Sequence, residues 1–170
     1  MTLQNQAEMN KIVVKTYLQE NAKLPQRSRP QDVGYDLCAL TVNRATQAHP
    51  GTHTFLVDFG ISIEPPDGYY FELIPRSSLA WSGFILPNSI GVIDPNYRGS
   101  LMMPLIYIGQ RSIYDENATH EIDQLAQLLV GKRLAQLVLR PHLSCDFVEV
   151  QRHALSGSER GEGGFGSSGE

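Results

Sequence analysis

Sulfur is scarce in this sequence. Its two cysteines, Cys38 and Cys145, lie far apart, which excludes a disulfide framework and a CxxC metal knuckle and reads as two reduced structural thiols. Long apolar runs are missing as well. The longest candidate, Leu101–Ile108, contains Pro104 and falls well short of the roughly 18 residues of a membrane span. Met1–Asn10 has neither a basic n-region nor an apolar h-region, so no signal peptide is expected and the cytoplasm is the default compartment. Nor is there an excess of positive charge: 14 Lys and Arg face 18 Asp and Glu, a net charge of −4. That balance argues against direct binding to DNA or to an anionic membrane, so any anion must be held by local geometry. Among the histidines, the i, i+4 pair His49 and His53 encloses Pro50 and Gly51, which breaks the helix a zinc face would need. There is no GK[ST] of a P-loop and no internal repeat.

What is present suffices for one folded domain. The chain of 170 residues is 41% hydrophobic and 19% charged, enough to bury a single core. Period two dominates. Phe55, Val57, Phe59, Ile61 and Ile63 alternate with Asp58, Gly60, Ser62 and Glu64, the pattern of a half-buried strand. Ile12–Leu18, Tyr69–Ile74, Leu101–Ile108, Leu134–Arg140 and Phe147–Val150 also read as strands, punctuated by Gly, Pro and Asn signals. Many short strands without long helices between them mean an all-β sandwich, jelly roll or barrel. One segment departs from this: Ile122, Leu125, Ala126 and Leu129 recur at i, i+3, i+4 and i+7, with Asn117 as N-cap and Gly131 as stop, predicting a short helix near 118–130. From Ser156 to Glu170 the composition turns to Gly and Ser around Phe165, which predicts a flexible arm, residues 156–170, beyond a core of residues 1–155.

Five polar clusters carry chemical potential. In Gly34-Tyr35-Asp36-Leu37, local pattern alone makes Asp36 a turn or capping carboxylate. Pro75-Arg76-Ser77-Ser78-Leu79 puts a guanidinium and two hydroxyls at a strand end, a donor set suited to an oxyanion, although a solvated surface turn has the same pattern. Asn88 to Gly99 contains Asp94-Pro95-Asn96, a strong turn signal that predicts a β-hairpin, with Gly91 letting the backbone approach a flat ligand. Gly131 to Gln136 opens a strand with Arg133, either a phosphate partner or a rim salt bridge. In the tail, Gly161, Gly163 and Gly166 satisfy G-x-G-x-x-G, but no strand precedes them and only four residues follow, which rules out a Rossmann turn. What is left is a strip of backbone N–H groups and hydroxyls around one aromatic, suited to closing over phosphates while Phe165 stacks on a base, or else a low-complexity tail.

In order and type, these clusters resemble the five motifs of the trimeric dUTPase family, from about Leu18 to the C-terminus. The resemblance implies an all-β, jelly-roll-like homotrimer with three active sites shared between subunits. It also implies Mg²⁺-dependent hydrolysis of dUTP to dUMP and pyrophosphate by water attack on the α-phosphorus, limiting uracil in DNA and supplying dUMP for dTMP synthesis. Carried over by position, Asp94 activates the water. Asn88 and the backbone of Gly91, Val92 and Ile93 read uracil, and Tyr97 packs on the deoxyribose and excludes a 2′-hydroxyl. Arg76, Ser77, Ser78 and Gln136 match phosphate contacts. Asp36 helps hold Mg²⁺ through water, and Arg160, Phe165, Gly166, Ser167 and Ser168 match the covering arm. Three departures stand out. Ser78 replaces the usual glycine, Ser168 stands where threonine is common, and Gln110–Leu129 lengthens the connection before the fourth motif. The related dCTP deaminases place a glutamate on the strand after the hairpin, whereas Ser100–Ile108 has no acidic residue. A non-catalytic nucleotide-binding module on the same fold is a further alternative.

Overall fold

The computed structural model describes residues 12–47, 51–109 and 116–163. Among these residues ten strands follow one another: β1 (Lys15–Leu18), β2 (Tyr35–Cys38), β3 (Thr41–Arg44), β4 (Thr54–Asp58), β5 (Ile61–Glu64), β6 (Tyr69–Pro75), β7 (Phe84–Ile85), β8 (Gly91–Ile93), β9 (Met102–Tyr107) and β10 (Arg133–Pro141). The one α-helix among the described residues, α1 (Glu116–Gln127), precedes β10. Two four-stranded sheets, β2-β10-β6-β8 and β3-β4-β9-β7, together with the β1-β5 ribbon, make an all-β sandwich whose pairings are antiparallel. Leu37, Phe71, Leu73 and Leu137 of the first sheet join Phe55, Val57, Met103 and Leu105 of the second in one buried cluster, and this inward alternation from both sheets is what makes a sandwich core.

The alternation from Phe55 to Ile63 survives intact, with all five odd positions buried, but it runs through two strands rather than one. Gly60, at φ +65°, turns the chain out of β4 and into β5, and its N–H is taken by Asp58 Oδ1 at 2.7 Å. A period-two pattern cannot reveal this corner, because side chains keep alternating across it. The helix is present with shifted bounds. Asn117 lies inside α1 rather than capping it, and Ala118, Ile122 and Ala126 face the core while Leu125 is exposed. Gln127 Nε2 donates to Val42 O at 2.7 Å, and Arg44 pairs with Asp123 at 2.7 Å, so α1 docks on β3.

Two further expectations change. Phe147–Val150 is not a strand: Phe147 and Val148 are 96% and 77% exposed and have no strand partner among the described residues. The Asp94 turn does not close a hairpin, because β8 pairs with β6, whereas the next strand, β9, belongs to the other sheet. That turn is a crossover between sheets. Its tip is held internally: Tyr97 Oη donates to Ser100 O at 2.9 Å, and Arg98 Nη1 donates to Pro95 O and Tyr97 O at 2.7 and 2.9 Å.

Candidate functional site

Three neighbouring strands bring Asp36, Gln136 and Ile74 into one row, since Gln136 is register partner to both of the others. Asp36 thus stands on β2, not in a turn. Arg76 follows β6 directly and is fixed by its backbone, whose N–H donates to Leu134 O at 2.9 Å. Arg133 reaches the same face by an irregularity. It lies three positions before Gln136, an odd offset that in a regular strand would put the two on opposite faces. A register shift between Arg133 and Ala135 inserts the extra residue, and both Leu134 and Ala135 are buried as a result. Bulges re-aim side chains in this way beside functional sites.

The result is a cluster around one carboxylate. Asp36 Oδ1 pairs with Arg76 Nη1. Asp36 Oδ2 accepts from Arg133 Nη1 at 3.0 Å and from Ser28 Oγ at 2.8 Å, and Arg133 Nη1 also donates to Ser28 Oγ at 2.7 Å. Asp36 is 8% exposed. Burial opposes its ionisation, but the Ser28 hydroxyl, the Arg76 guanidinium and the charge of Arg133 outweigh burial and hold the carboxyl below its usual range. Two cations against one anion leave a local excess of positive charge in an otherwise acidic chain. Asp36, Arg76 and Ser28 of the cluster border a cavity of about 460 Å³ lined also by Gly34, Ser77, Gln136, Asp32 and Arg140, whereas Arg133 lies outside this lining. Gln136 lies so close over Gly34 that a Cβ there would come within 2.6 Å of its Cδ. Guanidinium, amide and hydroxyl donors around one cavity are a donor set suited to an oxyanion.

Asp36, Arg76, Ser77 and Gln136 are therefore brought together as the sequence reading expects. Asp94 is not among them. Two strands lie between β2 and β8, about 14 Å at the usual strand spacing. The register, with Ile93 opposite Phe71, puts Asp94 about four residues, or roughly 13 Å, further along the strands than Asp36. Asn88 is exposed and donates from its own side chain to Ile90 O at 3.3 Å. The side chain of Ile93 is buried in the core, and Gly91 packs on Leu73, whose Cβ would be 3.3 Å from an added methyl. Tyr97 is partly exposed over Gly99. Ser78 lines a second hollow, which Arg76 and Arg133 also border, with Lys132 and Ser82. Arg160 is exposed, and its Nε donates within its own turn to Gly163 O at 2.8 Å. Phe165, Gly166, Ser167 and Ser168 lie outside the described residues. Sequence reasoning missed Ser28. Its place depends on a non-local bridge between Gln26 and Asp36, for which no local motif exists.

A protein-family model described as dUTPase matches residues 20–169. A Leptospira interrogans protein named deoxyuridine 5′-triphosphate nucleotidohydrolase is 37% identical over 153 residues, covering 89% of this chain and 94% of its own. Proteins of the same name from Clostridium tetani and Yarrowia lipolytica are each 36% identical, over 90% of this chain and 93% and 86% of theirs. Among solved structures, the dUTPase of Staphylococcus bacteriophage 80alpha with dUPNHPP superposes with a TM-score of 0.71 at 24% identity, covering 94% of this chain and all of that one. The dUTPase of Staphylococcus aureus phage phi11, described with a species-specific insert, gives 0.63 at 19% identity over 83% of this chain and 97% of its own. These two likenesses are of fold.

Proposed function

Since the chain belongs to the dUTPase family and hydrolyses dUTP to dUMP and pyrophosphate, we propose that it does so at a site completed only between copies of the chain, as a homotrimer. The observation that carries this reading is the separation within one chain. The anion receptor around Asp36 and the turn bearing Asp94 are too far apart to touch one α-phosphorus. A neighbouring copy can bring its Asp94 turn to the receptor. The stretch from Leu143 to Leu155 lends support. Leu143, Phe147, Val148 and Leu155 are strongly exposed apolar residues, as expected of chain that packs on another copy. We further propose that the core is residues 1–155 and that residues 156–170 form a glycine-rich arm closing over the bound nucleotide.

In this reading Arg76, Ser77 and Gln136 grip the phosphates, and Ser78, next in the turn, offers a further hydroxyl. Uracil is read by Asn88 and by the backbone of Gly91, Val92 and Ile93, and the deoxyribose packs on Tyr97. The carboxylate of Asp94 accepts a proton from water as its oxygen bonds to the α-phosphorus, the bond to the bridging oxygen breaks, and pyrophosphate leaves. Arg160, Phe165, Gly166, Ser167 and Ser168 shield the site. Mg²⁺, when bound, would offset the charge of the triphosphate. Asp36 fits that ion through water only: Ser28 and Arg133 occupy Oδ2, while Oδ1, paired with Arg76, retains one lone pair for a metal-bound water. No group of three or more His, Cys, Asp or Glu that could hold a metal occurs among the described residues, and in this reading phosphate oxygens and water provide the ion's ligands. Two free cysteines suit a reducing cytoplasm.

The test is pyrophosphate release from a panel of nucleoside triphosphates. dUTP should turn over far faster than dCTP, whose mismatched base edge leaves buried groups unpaired at about 1–3 kcal/mol each, than dTTP, whose 5-methyl group has no room against the backbone that reads uracil, and than UTP, whose 2′-hydroxyl meets Tyr97. Ammonia release from dCTP at a comparable rate would favour a deaminase, and binding of dUTP without turnover a regulatory module.

A further inference from the structure

We propose that Ser28 is a positioning residue for the phosphate receptor: its hydroxyl sets the rotation of the Asp36 carboxylate and, through it, the place of Arg76. The proposal rests on the dUTPase reading above. The terminal torsion of an aspartate is soft and broad, so a carboxylate keeps one orientation only where its partners impose it. Oδ1 has Arg76. Oδ2 has Arg133 and Ser28, and these two also bond to each other. A hydroxyl can close that triangle because it donates to the carboxylate while accepting from the guanidinium.

Of the two partners on Oδ2, Ser28 is the better placed to define direction. The side chain of Arg133 is long and 53% exposed, so by itself it would follow the carboxylate rather than steer it. Ser28 is short, and its place is referred to the backbone of the very residue it orients. Asp36 N donates to Gln26 O at 2.8 Å, which holds the 26–28 segment alongside β2. The residues on either side are pinned too. Arg27 lies over the Tyr35 ring with its Cζ 5.0 Å from the centroid, and Arg29 N donates to Asp32 Oδ2 at 2.8 Å. Without the hydroxyl, Arg133 alone pulls on Oδ2, the carboxylate turns toward it, and Oδ1 leaves the line on which it holds Arg76 beside Ser77.

The experiment is calorimetric binding of a dUTP analogue with an imido bridge between the α- and β-phosphorus, to the full-length protein in Mg²⁺. Ser28→Ala should weaken binding roughly fivefold, the order expected for one hydrogen bond to a charged group that is partly open to solvent. Ser28→Thr, which keeps the hydroxyl, should bind within about twofold of wild type. In an Asp36→Asn background, Ser28→Ala should add no further loss, because a residue that acts through Asp36 has nothing left to orient. Unchanged affinity in Ser28→Ala, a threonine variant no better than alanine, or a full additional loss in the Asp36→Asn background would each overturn the proposal. A wild-type protein that fails to bind the analogue would overturn the dUTPase reading itself, and the proposal with it.

Discussion

A methyl group at Gly34 would meet Gln136, coming within 2.6 Å of Cδ and 3.0 Å of Cβ. The obstacle is mostly the far end of a flexible side chain, so the amide moves and the backbone stays. Gly34→Ala should therefore raise the KM for dUTP by about tenfold, the worth of one lost amide contact to phosphate, while its urea midpoint stays close to wild type. A large loss of stability with unchanged KM would mean that Gln136 does not serve the phosphates. At this scale the sequence was partly legible. Arg76, Ser77, Gln136 and Asp36 could be named from their motifs because a motif records residues that must converge. Ser28 could not, since its partners come from β2 and β10, and the bulge that turns Arg133 toward them has no signature in Gly131 to Gln136.

Elements are set by what they bury, and α1 gives a sharp case. Ile122 is 1% exposed and Leu125 is 41% exposed, although both fall on the apolar repeat read from sequence. Ile122→Ala should cost about 2–4 kcal/mol, and Leu125→Ala no more than about 0.5 kcal/mol, both measured by urea unfolding. Equal costs would mean that α1 docks on a different face. The repeat is ambiguous because i+3 and i+4 both satisfy a helical period, and only docking against β3, through Gln127 and the Arg44–Asp123 pair, decides between them. The same holds for strands. Period two predicted burial from Phe55 to Ile63 correctly and missed the corner at Gly60. It also marked Phe147–Val150 as a strand, although none of the described residues pairs with it. A strand needs a neighbour, and the sequence of one segment does not say where that neighbour is.

At the scale of the whole molecule, the distance between Asp94 and the Asp36 cluster becomes a statement about assembly. Asp94→Asn and a chain ending at Leu155 should each be inactive and each still form trimers, because the arm adds little to the core. Unfolded and refolded together in equal amounts, random threefold assembly should join an intact Asp94 to an intact arm at roughly a quarter of the sites. Activity near that fraction of wild type supports sites shared between chains. Mixtures as silent as their parents would mean that each chain builds its own. Shared sites have a consequence for dosage. In such an assembly, newly made chains at low abundance would hold two halves of different sites and no whole one, so hydrolysis would rise more steeply than the number of chains until trimers dominate. A chain lacking both Asp94 and the arm would then spoil two sites rather than one, so that mixed equally with intact chains it would leave roughly a quarter of the sites working instead of half.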